Sequence, residues 1–305
     1  MRNTMGKSLK EYIGEIRAIP LDDRLSDDAV VALMDIHLSL MSMIVANGLE
    51  DTYGGAAAHR AAMEKLFALC SRRSAGNQSL ERSSRMIPSM YSIFCMPDAV
   101  FDDRRHSACL NRSFRLAKAW REKTKGLPPT DEKARMTEYG VLQSILEAFL
   151  YVAGEDKAAD EDYLYLTRRI EAWASALDPD GRWIGLSDGE AMNRLALMTG
   201  YANAELDRRF DARIEKALGF YCDSITGHER IDGRTLFNLY RASMSWTGYQ
   251  DSPGTGTIVA CAIRGLESAF AVDRDDRLWH MAVLIDRECA DINSEMKQKV
   301  LAYSA

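Results

Sequence analysis

The sequence predicts an all-α protein. Every long apolar run repeats at helical rather than alternating spacing, and no period-two stretch is long enough for a sheet. Turn-forming segments interrupt these runs at regular intervals: 47–55, 72–78, 97–103, 126–129, 154–159, 178–185, 201–204, 224–233, 245–253 and 272–275. A short pattern, Trp-x-Gly-x-x-Asp, occurs twice, from Trp183 to Asp188 and from Trp246 to Asp251, and each copy opens a helical run. Its glycine permits a sharp turn, its tryptophan can wedge between elements, and its aspartate can cap a helix. About twelve helices result, joined by short loops that force neighbours into antiparallel hairpins.

Taken in order, the helices differ in kind. Residues 26–46 are apolar nearly all round, interrupted by Asp35, His37 and Ser39, and should be buried on most faces. Residues 56–70 mix His59, Arg60, Glu64 and Lys65 with Met63, Leu66, Phe67 and Leu69, as an outer helix would. The alternation continues. Segments 80–96 and 136–153 look central, while 104–125 and 161–177 look amphipathic and peripheral. Thr130-Asp131-Glu132-Lys133, after Pro128-Pro129, marks a helix start. Further helical runs cover 190–200, 234–245 and 257–270. No Ser/Gly linker or composition shift divides the chain, so residues 1–305 read as one domain.

Composition narrows the functional classes. The chain has 305 residues, 47% of them hydrophobic, a net charge of −6 and a pI near 5.5. Its densest basic tracts are Arg104-Arg105 and Arg208-Arg209, which leave nucleic acid no electrostatic footprint. No uninterrupted apolar stretch reaches 18 residues, so no membrane span is expected, and residues 1–10 lack the apolar core of a signal peptide. A cytoplasmic location follows as the expectation. The six cysteines, Cys70, Cys95, Cys109, Cys222, Cys261 and Cys289, sit singly in helical runs and are expected to be reduced. The five histidines show no metal-ligand spacing.

Alternating buried and amphipathic helices, together with turns such as Asp178-Pro179-Asp180-Gly181-Arg182-Trp183, resemble the α/α-toroid superfamily. That group includes six-hairpin glycosidases, polysaccharide lyases and terpenoid cyclases. The resemblance implies a ring of about six hairpins whose inner helix ends line a central cleft, often with aromatics that stack on sugars. It also implies a carbohydrate-active hydrolase or lyase with paired carboxylates, needing no cofactor and binding a small molecule or oligosaccharide.

On this reading Asp188, Glu190 and Asp251 are the candidate catalytic acids, and Trp183, Trp246 and Arg194 the candidate substrate-binding residues. Two acids flanking a glycosidic bond can act as acid and base, or as acid and nucleophile. The structural alternative makes Asp188 and Asp251 helix caps and the tryptophans wedges. Asp188 and Glu190 are two apart, so on a helix they point about 200° from one another and cannot share a target. Strict alternation also puts the two motifs at opposite ends of the ring. They meet only if 234–245 is an extra element.

A second reading follows class I terpene synthases. Asp102, Asp103, Asp223 and Glu229 would then hold Mg²⁺. The first acidic pair continues Arg104-Arg105-His106 with no third acid, and the second motif is one residue short. A third reading is a non-catalytic scaffold that binds a peptide. Gly185-Leu186-Ser187-Asp188-Gly189 matches a nucleophile elbow, but the strand that motif requires is missing. Ser252-Pro253-Gly254-Thr255-Gly256 is a turn with no phosphate-loop lysine.

Overall fold

The computed structural model describes residues 7–75, 79–95, 103–150, 154–228, 230–268 and 273–303, and these contain helices and no strand. In chain order the α-helices are α1 (Leu9–Arg17), α2 (Asp27–Asn47), α3 (Glu50–Tyr53), α4 (Ala56–Arg73), α5 (Leu80–Met90), α6 (Asp103–Thr124) and α7 (Glu132–Phe149). They continue with α8 (Gly154–Ala159), α9 (Glu161–Ser175), α10 (Asp188–Glu205), α11 (Asp211–Ser224), α12 (Gly233–Ser245), α13 (Pro253–Glu267) and α14 (Arg274–Tyr303). Side-chain oxygens of Ser26, Ser79, Asp131, Asp160, Ser187, Asp232 and Ser252 accept hydrogen bonds from first-turn backbone N–H groups that would otherwise lack a partner.

Six of these helices contact one another in a closed cycle. Helix α2 packs on α5, α5 on α7, α7 on α10, α10 on α12, α12 on α14, and α14 returns to α2. The intervening long helices lie outside. Helix α4 touches both α2 and α5, α6 both α5 and α7, α11 both α10 and α12, and α13 both α12 and α14. Helix α9 packs on α7 and α1 on α14. The inner helices follow from composition: Val30, Leu33, Met34, Ile36, Leu40, Met43 and Ile44 of α2 are all buried, so hydrophobic burial drives the helix into the centre. Helix α2 is, by length and composition, also apolar enough to cross a membrane; here most of it is buried against neighbouring helices.

Polar contacts lace the α2–α14 seam. Ser39 donates to Asp286 at 2.6 Å, Ser26 to Asp275 at 2.5 Å, and Asn47 to the side chain of Asn293 at 2.5 Å. Between α5 and α7 the backbones approach closely at Gly140, where an added Cβ would collide with the Ser84 carbonyl. Inner and outer layers are tied by buried ion pairs. Glu138 of α7 is fully buried and takes a fork from Arg169 of α9 at 3.0 and 2.9 Å, plus the Tyr165 hydroxyl at 2.5 Å. Asp27 pairs with Arg73 at 3.0 Å and Arg82 at 2.9 Å.

Several elements depart from the sequence expectation. Helix α1 lay outside the apolar runs, yet Ser8 and Glu11 form a reciprocal cap and Leu9, Tyr12, Ile13 and Ile16 are buried. The expected break at 201–204 lies inside α10, because Tyr201 and Ala202 are buried; the helix ends at Leu206, whose φ is 51°. Segment 80–96 ends as an α-helix at Met90 and continues as a 3₁₀ turn, Tyr91–Cys95. Cys70, Cys109, Cys222, Cys261 and Cys289 are free and buried; the Cys95 side chain is outside the description.

The two Trp-x-Gly-x-x-Asp copies differ locally. Gly185 has a φ of 79°, which favours glycine, whereas Gly248 does not lie in the positive-φ region. Trp183 is 3% exposed, donates from Nε1 to the Trp173 carbonyl at 2.8 Å, and stacks on Tyr221 with centroids 6.0 Å apart. Trp246 is equally buried at the end of α12. Truncating either ring leaves a large void, so Trp183→Ala and Trp246→Ala should each cost about 3–5 kcal/mol in chemical denaturation. A loss below about 1 kcal/mol for both would show that the rings do not wedge the hairpins.

Candidate functional site

One stripe of each inner helix turns away from the outer layer and toward a common cavity of about 290 Å³, close to the lower end of the roughly 300–1,000 Å³ usual for ligand sites. Helix α7 and its C-cap contribute Met136, Tyr139, Gly140, Gln143, Glu147 and Leu150, all on one helical stripe; α12 contributes Arg234, Phe237, Asn238, Arg241 and Ser245 in the same way. Val31 and Asp35 come from α2, Arg85 and Ser89 from α5, Asn193 and Leu197 from α10, and Trp279 from α14. The lining reaches Leu150 and Ser245, both exposed at the C-terminal ends of α7 and α12.

Two carboxyls distinguish this cavity. Buried acids elsewhere have a cation: Glu138 has Arg169, Glu190 has Arg135, Asp162 has Arg121. Asp35 has neither hydrogen-bond nor ion-pair partner among the described residues and is half-buried at the cavity wall. Burial raises its carboxyl to about 6, Arg241 opposes that shift, and Asp286 adds to it. Glu147 accepts from Gln143 Nε2 at 2.7 Å and has no cation at ion-pair distance among the described residues. Burial also raises its affinity for protons; Gln143 and Arg241 oppose this, and the charge of Asp35 adds to it. Asp35 and Glu147 therefore titrate as interacting groups, and Arg241 acts on both. The Arg241 guanidinium carbon lies 5.9 Å from the Phe237 ring centroid, and Phe237 sits 5.0 Å from Trp279.

The residues expected from sequence lie elsewhere. Asp188 is exposed, with His228 Nδ1 at 3.5 Å, and Ser187 rather than Asp188 caps α10. Glu190 completes that cap and pairs with Arg135; burial pushes its carboxyl up, but Arg135 and Ser187 outweigh it and hold it low. Asp251, with a side chain 92% exposed, lies 3.6 Å from Arg287 beside a separate recess between α13 and α14; Ser252 caps α13. Arg194 donates to the Tyr139 hydroxyl at 3.1 Å and lies over the Trp173 and Trp183 rings, at 5.2 and 5.8 Å. Because α12 is an ordinary inner helix, the Trp183 motif opens inner α10 and the Trp246 motif opens outer α13, so the two do not meet. Of the residues for Mg²⁺, Asp223 is exposed on α11 and Asp103 begins α6 with its side chain outside the description. Asp102 and Glu229 lie outside the described residues. Among the described residues no group of three or more His, Cys, Asp or Glu is placed to hold a metal ion.

Sequence reasoning marked Asp35 only as an interruption of an apolar run and passed over Glu147 and Arg241. The available signal was phase: all three fall on the inward stripe of otherwise apolar central helices.

Comparison with protein-family models, curated proteins and solved structures finds no match.

An acid that binds its proton more tightly when folded weakens the fold as pH rises. Asp35 should cost nothing below its unfolded value of 3.8, and its penalty should grow until about pH 6 and then level off. Asp35→Asn removes the penalty. The variant should gain on the order of 1–3 kcal/mol over the parent at pH 8 and nothing at pH 3.5, read by urea denaturation at both pH values. Equal differences at the two pH values would show that the Asp35 carboxyl is fully hydrated.

Proposed function

We propose that the closed helix cycle is an α/α toroid, and that the protein is a carbohydrate-active hydrolase or lyase whose paired carboxyls are Asp35 and Glu147. The observation that carries this reading is their shared environment: two acids without cationic partners among the described residues line one cavity with Tyr139, Phe237 and Trp279. Half-buried at the cavity wall, both have the raised proton affinity on which acid–base catalysis draws. In hydrolysis the protonated carboxyl gives its proton to the departing glycosidic oxygen, while the ionised one takes a proton from the attacking water. In elimination the ionised carboxyl removes a carbon-bound proton next to a carboxylate, and the other protonates the leaving oxygen. Either way the pair exchanges protonation states within a turnover. Aromatic faces at the wall suit the apolar face of a sugar ring, and Asn193, Asn238 and Gln143 offer donors and acceptors for hydroxyls.

Turnover of a panel of oligosaccharides, including acidic ones, tests this. On any substrate that the wild-type chain cleaves, Asp35→Asn and Glu147→Gln should each lower kcat by about 10²–10⁴-fold with the helical circular dichroism intact. Asp188→Asn should leave kcat within about threefold of wild type, because its carboxylate is outside the cavity. Full turnover by both cavity variants would remove them from the chemistry.

A further inference from the structure

A smaller recess lies apart from the central cavity, where the loop before α12, the last turns of α13 and the first turns of α14 converge. We infer that this recess binds inorganic phosphate in a form that keeps an O–H group. Arg230 and Arg264 meet the charge of the ion, and His280 Nε2 accepts a hydrogen bond from its hydroxyl. The space measures about 40 Å³. At roughly 10–15 Å³ for each water it admits about three water-sized groups, which suits a small tetrahedral ion and excludes a sugar or a nucleotide.

His280 anchors the site. It is 2% exposed, and its Nδ1 lies 2.9 Å from the Asp276 carbonyl oxygen. A carbonyl only accepts, so Nδ1 carries the hydrogen, and in the neutral ring Nε2 carries a lone pair. Nε2 is buried and has no hydrogen-bond partner. Two glycines make room for the ring: a Cβ on Gly233 would come within 2.8 Å of Nδ1, and one on Gly265 would collide with Nε2. Gly265 lines the recess as well, so the Nε2 edge meets no side chain there. A buried acceptor without a donor is destabilising, and a ligand that brings an O–H to it relieves the loss.

Charge selects the rest of the ligand. Among the described residues the lining holds two arginines and one carboxylate. Asp276 is already engaged: the Gly233 N–H donates to it and Arg230 lies 3.6 Å away. His228 faces Asp188 at 3.5 Å. Arg264 donates from Nη2 to Cys261 Sγ at 2.8 Å, a weak acceptor that leaves its other N–H groups for an oxyanion. Arg230 and Arg264 are exposed and form the rim, while His280 forms the floor. The positive ends of α12 and α14 both lie here, against one negative end, that of α13. Sulfate has the shape of phosphate but no O–H near neutral pH, so its oxygens would confront the Nε2 lone pair. A phosphomonoester dianion shares that defect and carries a substituent the recess has no room for. Phosphate keeps at least one O–H, which gives Nε2 a donor and the arginines acceptor oxygens.

Calorimetry on the full chain near neutral pH, with phosphate, sulfate and glycerol 3-phosphate as probes, tests this. Phosphate should bind at least about tenfold tighter than either of the others. Arg264→Gln, at an exposed position, should weaken phosphate about tenfold or more with the helical circular dichroism unchanged. His280→Phe should bring phosphate down to the level of sulfate without altering sulfate itself. Should that variant fail to fold, Arg264→Gln and the phosphate–sulfate comparison on wild type still decide. No binding of phosphate, or binding that Arg264→Gln leaves unchanged, would overturn the site. Equal affinity for phosphate and sulfate would reduce it to adventitious attraction of anions and overturn the role of His280. Glycerol 3-phosphate binding as tightly as phosphate would overturn the assignment to the free ion.

Discussion

Packing within the cycle and against the outer helices buries most of α2, the later turns of α7 and most of α12, leaving chiefly one stripe of each less covered. The cavity depends on that exclusion. Asp35 and Glu147 are unusual acids because neighbouring helices half-bury them with no cation at ion-pair distance among the described residues. If the cycle opened at any joint, water would reach the stripe and both groups would return toward ordinary carboxylates. The chemistry proposed for the cavity is thus a property of the closed cycle rather than of any local motif.

The treatment of charge in the two layers supports the same point. Glu138, Asp27 and Glu190 sit between helices and are each matched by arginine; removing one partner from such a site strands a buried charge. These pairs fix how the helices sit on each other. The inward acids, Asp35 and Glu147, have no such partner among the described residues. Proteins tolerate that arrangement where a ligand is expected to meet the unmatched groups.

Helix type and layer were legible in the sequence because they depend on local periodicity. The all-round apolar pattern of 26–46 and the mixed faces of 56–70 and 161–177 correspond to inner α2 and outer α4 and α9. The short α1 was missed because nine residues show too few turns of a stripe, although the Ser8–Glu11 cap was readable. The cavity was not legible. Asp35, Glu147 and Arg241 are far apart in the chain, each alone on its helix, and only the cyclic arrangement brings them to one space. The repeated tryptophan motif drew notice because repetition is visible along a sequence, yet its rings are buried at hairpin turns.

The seam between α2 and α14 has a consequence for how the molecule is made. A ribosome releases α2 well before its last neighbour: the contact from Ser39 to Asp286 spans 247 residues. Until α14 emerges, the most apolar helix of the chain holds an open flank. The nascent protein must shelter that flank on α4 and α5, or leave it to a chaperone, and the final step brings distant chain segments together at the entropic expense of a long loop. Truncation near the C-terminal end would therefore leave the first long helix, not the last, as the sticky surface.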